Sequence, residues 1–306
     1  MSSFGPRSRT PARQADQRAF PLTEKTAIGV CRLCGTTGPL SREHIPPKSS
    51  LGKSGYAVTV QRGDDYFEGR RGQLYQRGFH TPVLCETCNK ITGSWYGTEF
   101  AKWSDWGRSL LEAMRTGSKR PVPAFTGYPL RIAKQVVTTM IAASVGDLLE
   151  RRPDLKSFVL NRDEVAKSGQ IRLTGYLCPS RAGRTTGVAV AMKPDSEPHV
   201  LIEFALQPFG YVLTLSGEPY DARPVDISHL TTFGYNEHRS IDLPHIPVLP
   251  THEPFPGDYR TKDEIRRDAI ENMLGEDRHP DAYNEARRIF AAGEGPAFFA
   301  DHGEEW

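Results

Sequence analysis

Four of the five cysteines fall into two pairs of identical spacing, Cys31/Cys34 in CRLCG and Cys85/Cys88 in LCETCN. Two thiols three positions apart can face one point from a single tight turn. Two such turns supply the four soft ligands of a tetrahedral zinc ion. Four thiolates leave no open coordination position, so zinc held there is structural and any catalytic ion is a second one. Between the pairs, SREHIPPKS places His44 beside the Glu43 carboxylate and just ahead of Pro46 and Pro47. His80 and Asn89 bracket the second pair. A zinc staple requires none of these, and together they point to a metal-dependent active site on a zinc-stapled scaffold.

These residues resemble the HNH endonucleases of the ββα-metal fold. That family's pattern reads CxxC, then an acid–His–hydrophobic–x–Pro strand end, then Asn-Leu-x-x-Leu-Cys-x-x-Cys-His. Glu43-His44-Ile45-Pro46-Pro47 matches the strand end, and Leu84-Cys85-Glu86-Thr87-Cys88-Asn89 matches the second knuckle. The chain departs from the pattern twice: Glu43 stands for the family's Asp, and His80 for its central Asn. The resemblance covers residues 31–97 and leaves the rest of the chain unassigned.

It implies hydrolysis of phosphodiester bonds with one divalent ion. His44 would be the general base, since a neutral imidazole near pH 7 can take a proton from water. Asn89 would ligate Mg²⁺ or Mn²⁺ through its amide oxygen, and Glu43 would be a second ligand, directly or through water. His80 would hold the base's loop by hydrogen bonds. Each has a plainer alternative: a structural or zinc-bound His44, a capping Asn89, a Glu43–Arg ion pair, a surface His80. Arg42 and Lys90 flank the site as phosphate contacts or as solvated charges. The implied partner is nucleic acid, double-stranded DNA first and RNA as an alternative. A rival from another class is an inactive zinc-dependent nucleic-acid-binding or assembly module, which the two substitutions favour. A defence or mobile-element role fits only by analogy of architecture.

The elements that must position these residues follow from the pattern. Residues 1–25 are rich in Arg, Ser and Pro and read as a disordered basic tail. Residues 26–120 form the expected nuclease-like domain, with a strand ending at His44 and a hairpin-like insert around Gly63-Asp64-Asp65. That insert interleaves Arg62, Arg70, Arg71 and Arg77 with Tyr56, Tyr66, Phe67 and Tyr75, a mixture that suits phosphates and bases or an ordinary solvated hairpin. A helix is expected from Cys88, weakened by Gly93 and Gly97. An amphipathic run follows through Phe100, Trp103, Leu110, Leu111 and Met114 to Gly117, with Trp103 and Trp106 as packing residues.

The proline-punctuated stretch Pro121–Pro129 is the expected domain boundary. Residues 121–306 read as an α+β domain, making the whole chain α+β. A helix from Pro129 to about Leu149 buries Ile132, Val136, Met140, Val145, Leu148 and Leu149, with Lys134 and Gln135 on its surface. The segments SFVL, QIRLTGYLC, TTGVAVAMK, HVLIEFAL and GYVLTLSG read as strands of an antiparallel sheet, with a bend at Pro208-Phe209-Gly210. Helices are expected at 261–274, opened by a Thr261–Glu264 capping box, and at 281–292. This half is the candidate surface for a protein partner or a second copy. Glu203 and Asp258-Tyr259-Arg260 stand out without assignment.

Hydrophobic residues at 38% and charged residues at 25% describe a soluble globular protein, and no run is long and apolar enough to span a membrane. With no secretory leader the expected location is cytoplasmic. Net charge is only +2. It is uneven, with 19 Lys and Arg against 10 Asp and Glu in residues 1–120 and the acidic excess after them. A basic end carrying the site suits contact with nucleic acid at that end. Four cysteines in CxxC pairs indicate metal use rather than disulfides. Cys178 reads as a buried small hydrophobe, and His199, His229, His238, His245 and His252 lack ligand spacing.

Overall fold

The structure is a computed structural model that describes residues 27–45, 47–50, 56–58, 73–75, 79–118, 120–144, 148–180, 184–191, 197–243, 245–251, 257–261, 263–264 and 267. The expected basic tail, the Gly63–Asp65 turn with its arginines, and the helix at 281–292 lie outside the described residues.

Strand β1 (Ala27–Val30) turns through Cys31–Thr36 into β2 (Thr37–Ile45), and the two pair antiparallel. Strands β3 (Tyr56–Val58) and β4 (Gln73–Tyr75) form a separate antiparallel pair. Strand β5 (Phe79–Cys85) then returns beside β2, giving the order β1-β2-β5. It runs directly into helix α1 (Glu86–Thr92). Gly93 and Gly97 do not stop the helical path. They bound a π-helical turn, Gly93–Gly97, that leads into α2 (Thr98–Arg115) with helical backbone at both glycines. Gly117, at φ +60°, ends the run: its amide and that of Ser118 return to the carbonyls of Met114 and Ala113.

After β6 (Phe125–Gly127), helix α3 (Pro129–Ala143) opens with proline in its first turn, as expected. Fourteen of its fifteen residues are buried, the pattern of a helix in the middle of a core. Lys134 and Gln135 are therefore buried rather than on the surface. The helix ends at Ala143, short of the expected Leu149. Two short helices follow, α4 (Leu148–Arg151) and α5 (Pro153–Leu160). Ser157–Leu160, expected as a strand, is the last half of α5. Pro153 sits in its first turn with Asp154, which pairs with Arg152 at 2.7 Å, and Leu155, Phe158 and Val159 bury one helical face. Burial of that face in the core overrides the β-preference of Phe-Val-Leu.

The remaining strands are β7 (Arg172–Leu177), β8 (Arg184–Ala191), β9 (His199–Leu206), β10 (Phe209–Ser216), β11 (Val225–Asp226) and β12 (Arg239–Ile241). Five of them make a fully antiparallel sheet, β11-β7-β10-β9-β8, and β12 pairs with β6. The chain is thus mixed α+β with antiparallel sheets. The expected bend between β9 and β10 carries a cis Gln207–Pro208 bond.

One buried apolar cluster runs from Cys31 and Leu33 through Val83, Leu84, Phe100 and Trp103 to α3 and on to Ile202 and Leu213. It spans both sides of Pro121–Pro129. Trp103 stacks on Phe209 at 5.0 Å and donates to the Tyr211 hydroxyl at 2.9 Å, so it packs as expected. The opposite sheet face buries Tyr176, Cys178, Leu201, Val212 and Tyr259. There the Glu203 carboxylate accepts from Tyr176 at 2.6 Å, from Arg184 at 2.8 Å and from the Gly257 amide at 3.0 Å. Glu203 and the Asp258–Arg260 segment thereby belong to one buried network. The Thr261–Glu264 capping box is present, with reciprocal bonds at 2.6 and 3.2 Å. Among the described residues no helix is long and apolar enough to cross a membrane.

Lys134 donates to the carbonyls of Phe158 and, at 2.7 Å, of Asn161, closing the end of α5. Burial pulls its amine down to about 8 from an ordinary 10.5, against the pull of Glu164 and Asp163. Between these values the unfolded chain holds the proton that the folded chain has released, so stability rises with pH through that window. Relative to Lys134→Met, the wild type should gain on the order of 2 kcal/mol from pH 7.5 to pH 10 in urea unfolding. A constant difference across that range would contradict the assignment.

Candidate functional site

The first knuckle is a tight turn. The Gly35 amide reaches the Cys31 carbonyl and the Cys31 amide the Thr36 carbonyl, both at 2.9 Å, with Gly35 at φ +82°. The second knuckle is a helix start. Cys85 ends β5 and caps α1, its sulfur accepting from the Cys88 amide at 3.5 Å. The sulfurs of Cys31, Cys34, Cys85 and Cys88 all lie within 4.8 Å of one another, and those of Cys34 and Cys85 are 3.8 Å apart. Four sulfurs each about 2.3 Å from one zinc ion would be about 3.8 Å apart, so the donor set fits a tetrahedral ion such as zinc. Cys31 and Cys88 are buried, Cys34 and Cys85 half-buried.

Crowding sets the thiol acidities. A hydrogen bond from Cys88, opposed by burial, draws Cys31 down to about 4. The same bond and burial push Cys88 up, and burial pushes Cys85 up. The four thiols are thus coupled, and a bound dication would favour their deprotonated form.

Distant parts of the chain hold the knuckles together. The β2–β5 register slips between Ser41 and Arg42, leaving Val83 unpaired on β5. This bulge gives the Val83 carbonyl to the Arg32 amide at 2.9 Å, joining β5 to the first knuckle. The Arg32 guanidinium donates to the Ala142 carbonyl at the end of α3, at 2.6 Å, and burial lowers it to about 10. Lys156 of α5 donates to the Cys34 carbonyl at 2.9 Å. Nothing local in the sequence announced Arg32, Lys156 or Val83.

His44, half-buried, is the second-last residue of β2 and lies directly opposite His80 in the ladder. Glu43 lies opposite Thr81, whose buried hydroxyl has no hydrogen-bond partner among the described residues. The side chains of Arg42, Glu43 and His80 lie outside the described residues. Asn89, in the first turns of α1, donates its amide nitrogen to the Ser41 hydroxyl at 3.0 Å, and Ser41 donates to the Leu84 carbonyl at 3.1 Å. Asn89 therefore ties α1 to β2 three residues before His44, roughly 10 Å along the strand. Lys90 is exposed and pairs with Glu86 at 2.6 Å. Among the described residues the four cysteines form the only cluster of metal-ligating type.

Comparison with models of protein families, with curated proteins and with solved structures finds no match.

Because Arg32 and Lys156 pin the first knuckle to α3 and α5, losing the metal should be felt well beyond residue 120. Cys31→Ser or Cys88→Ser should abolish stoichiometric zinc binding and lower the stability of the whole chain by several kcal/mol in one transition, since metal binding and folding are coupled at such a site. Hydrogen exchange read at β9 and β10 checks this. Full protection there, with residues 27–115 exchanging freely, would show that the knuckles fold apart from the sheet.

Proposed function

We propose that the chain is a metal-dependent endonuclease of HNH type that hydrolyses DNA phosphodiester bonds. One observation carries the reading. Strands β2 and β5 and helix α1, joined at the cysteine cluster, put His44 at a strand end opposite His80 and Asn89 on the helix against the same strand. In this reading the cluster holds a structural zinc, and His44 takes the proton from the attacking water.

The Asn89 amide nitrogen donates to Ser41, and in this reading its amide oxygen would serve a hard ion. Asn89 and Glu43 would hold that ion, with His80 steadying the strand end. Magnesium or manganese bound there supplies charge relief at the phosphate and at the leaving oxygen. His44 would accept the proton, and its place near the end of the β2–β5 ladder supports that role.

Supercoiled plasmid with Mg²⁺ or Mn²⁺, with and without chelator, is the direct test. His44→Ala should reduce cleavage by on the order of 10²–10⁴-fold, the usual contribution of a general base, with zinc content and DNA binding kept. Release of zinc by His44→Ala would instead make it a structural ligand. Asn89→Ala should lose cleavage and regain part of it in raised Mn²⁺, whereas Asn89→Asp should retain more. Variants that all cleave like wild type would place the ion elsewhere. A metal-replete wild type that binds DNA without cutting it would leave the binding-module reading in possession.

A further inference from the structure

We propose that Arg108 is a positioning residue for His44 and that, through it, the five-stranded sheet acts as the scaffold of the catalytic strand end; this rests on the nuclease reading above. The chain leaving His44 is fixed on both sides of Pro46. Ile45 is buried in the main core. Four residues beyond Pro46, Ser50 closes a 3-10 turn, Lys48–Ser50, and is itself buried. Both the amide and the hydroxyl of Ser50 donate to the Pro47 carbonyl, at 2.8 and 2.7 Å. The carbonyl of Ser50 in turn accepts from Nη1 of Arg108 at 2.7 Å.

Arg108 does not swing freely. Its Nη2 pairs with Asp105 one turn earlier on α2, and its side chain is only 28% exposed. A planar guanidinium held at two points sets direction as well as distance, which a lysine ammonium cannot do. With Asp105 and Ser50 already on its nitrogens, Arg108 is poorly placed to reach for a phosphate.

The helix behind it has no slack. Gly107 lies against Phe209 and Pro208, where a Cβ would run into the Phe209 ring and stand 3.0 Å from the Pro208 ring. The stack of Trp103 on Phe209 fixes the same stretch one turn earlier. Position therefore passes from the β9–β10 bend through α2 to Arg108, Ser50 and Pro47, two residues past the end of β2 at Ile45. This gives residues after 121 a part in catalysis without any contact with substrate.

The test uses the full-length, zinc-replete protein. Arg108→Ala should lower kcat 10- to 100-fold with KM within about twofold of wild type, a split that marks misplacement of a reacting group rather than lost binding. Arg108→Lys should restore only part of the loss. An independent arm needs no turnover: the ring resonances of His44, assigned by their absence in His44→Gln, should shift and broaden in Arg108→Ala while zinc content is unchanged. If Arg108→Ala does not fold, Ser50→Ala, which removes one donor from the Pro47 carbonyl, should move the same resonances. A loss confined to KM would make Arg108 a substrate contact and overturn the proposal. So would His44 resonances that stay in place. A wild type without nuclease activity would sink the nuclease reading alone, and the resonances would still decide the positioning claim.

Discussion

Four sulfurs can share one point only if the two turns that carry them are held face to face, and the site depends on that constraint. The first turn hangs between β1 and β2, the second between β5 and α1, so their meeting sets the register of β2 against β5. The ladder that results puts His44 opposite His80 and lets Asn89 reach Ser41. Packed thiols repel as they ionise, so the arrangement is fully favourable only around a cation. The staple and the candidate chemistry are therefore mechanically one unit.

That unit is built into the rest of the chain. The bulge at Val83 joins the first knuckle to β5, and the guanidinium of Arg32 and the ammonium of Lys156 join it to helices far along the sequence. Helix α3, buried on nearly every side, is the common partner: it touches β2, α2 and α5 and the sheet strands β8, β9 and β10. A continuous core makes small shifts costly, because close-packed side chains transmit strain. Such a scaffold suits a site whose members sit on separate elements.

The far face of the sheet is organised by a different interaction. Glu203 is wholly buried with three donors on its carboxylate, one of them the guanidinium of Arg184. Burial beside that carboxylate pushes the Tyr176 hydroxyl well above its ordinary acidity range. Removing one member of such a set costs on the order of 3–5 kcal/mol, since the remaining charge stays buried. The network fastens the segment from Gly257 to Arg260 to the sheet, with Tyr259 edge-on to Tyr176 at 4.9 Å.

The sequence by itself determined what depends on neighbours a few positions away. Two CxxC turns specified the cysteine cluster, β-favouring segments evenly spaced between turn residues specified four of the antiparallel sheet's strands, and Pro129, Gly117 and Thr261–Glu264 marked helix ends. The strand end at His44 and the helix at Asn89 were legible for the same reason. Tertiary structure alone decided what depends on remote partners. Ser157–Leu160 has strand-forming residues and became helix because its apolar side had a core to enter. Lys134 looked like surface and is buried, since the carbonyls that receive its ammonium belong to another helix. The partners of Arg32, Lys156 and Arg108 lie 110, 122 and 58 residues away. Local spacing carries no trace of contacts at such separations, because folding, not the order of residues, brings them within hydrogen-bond reach.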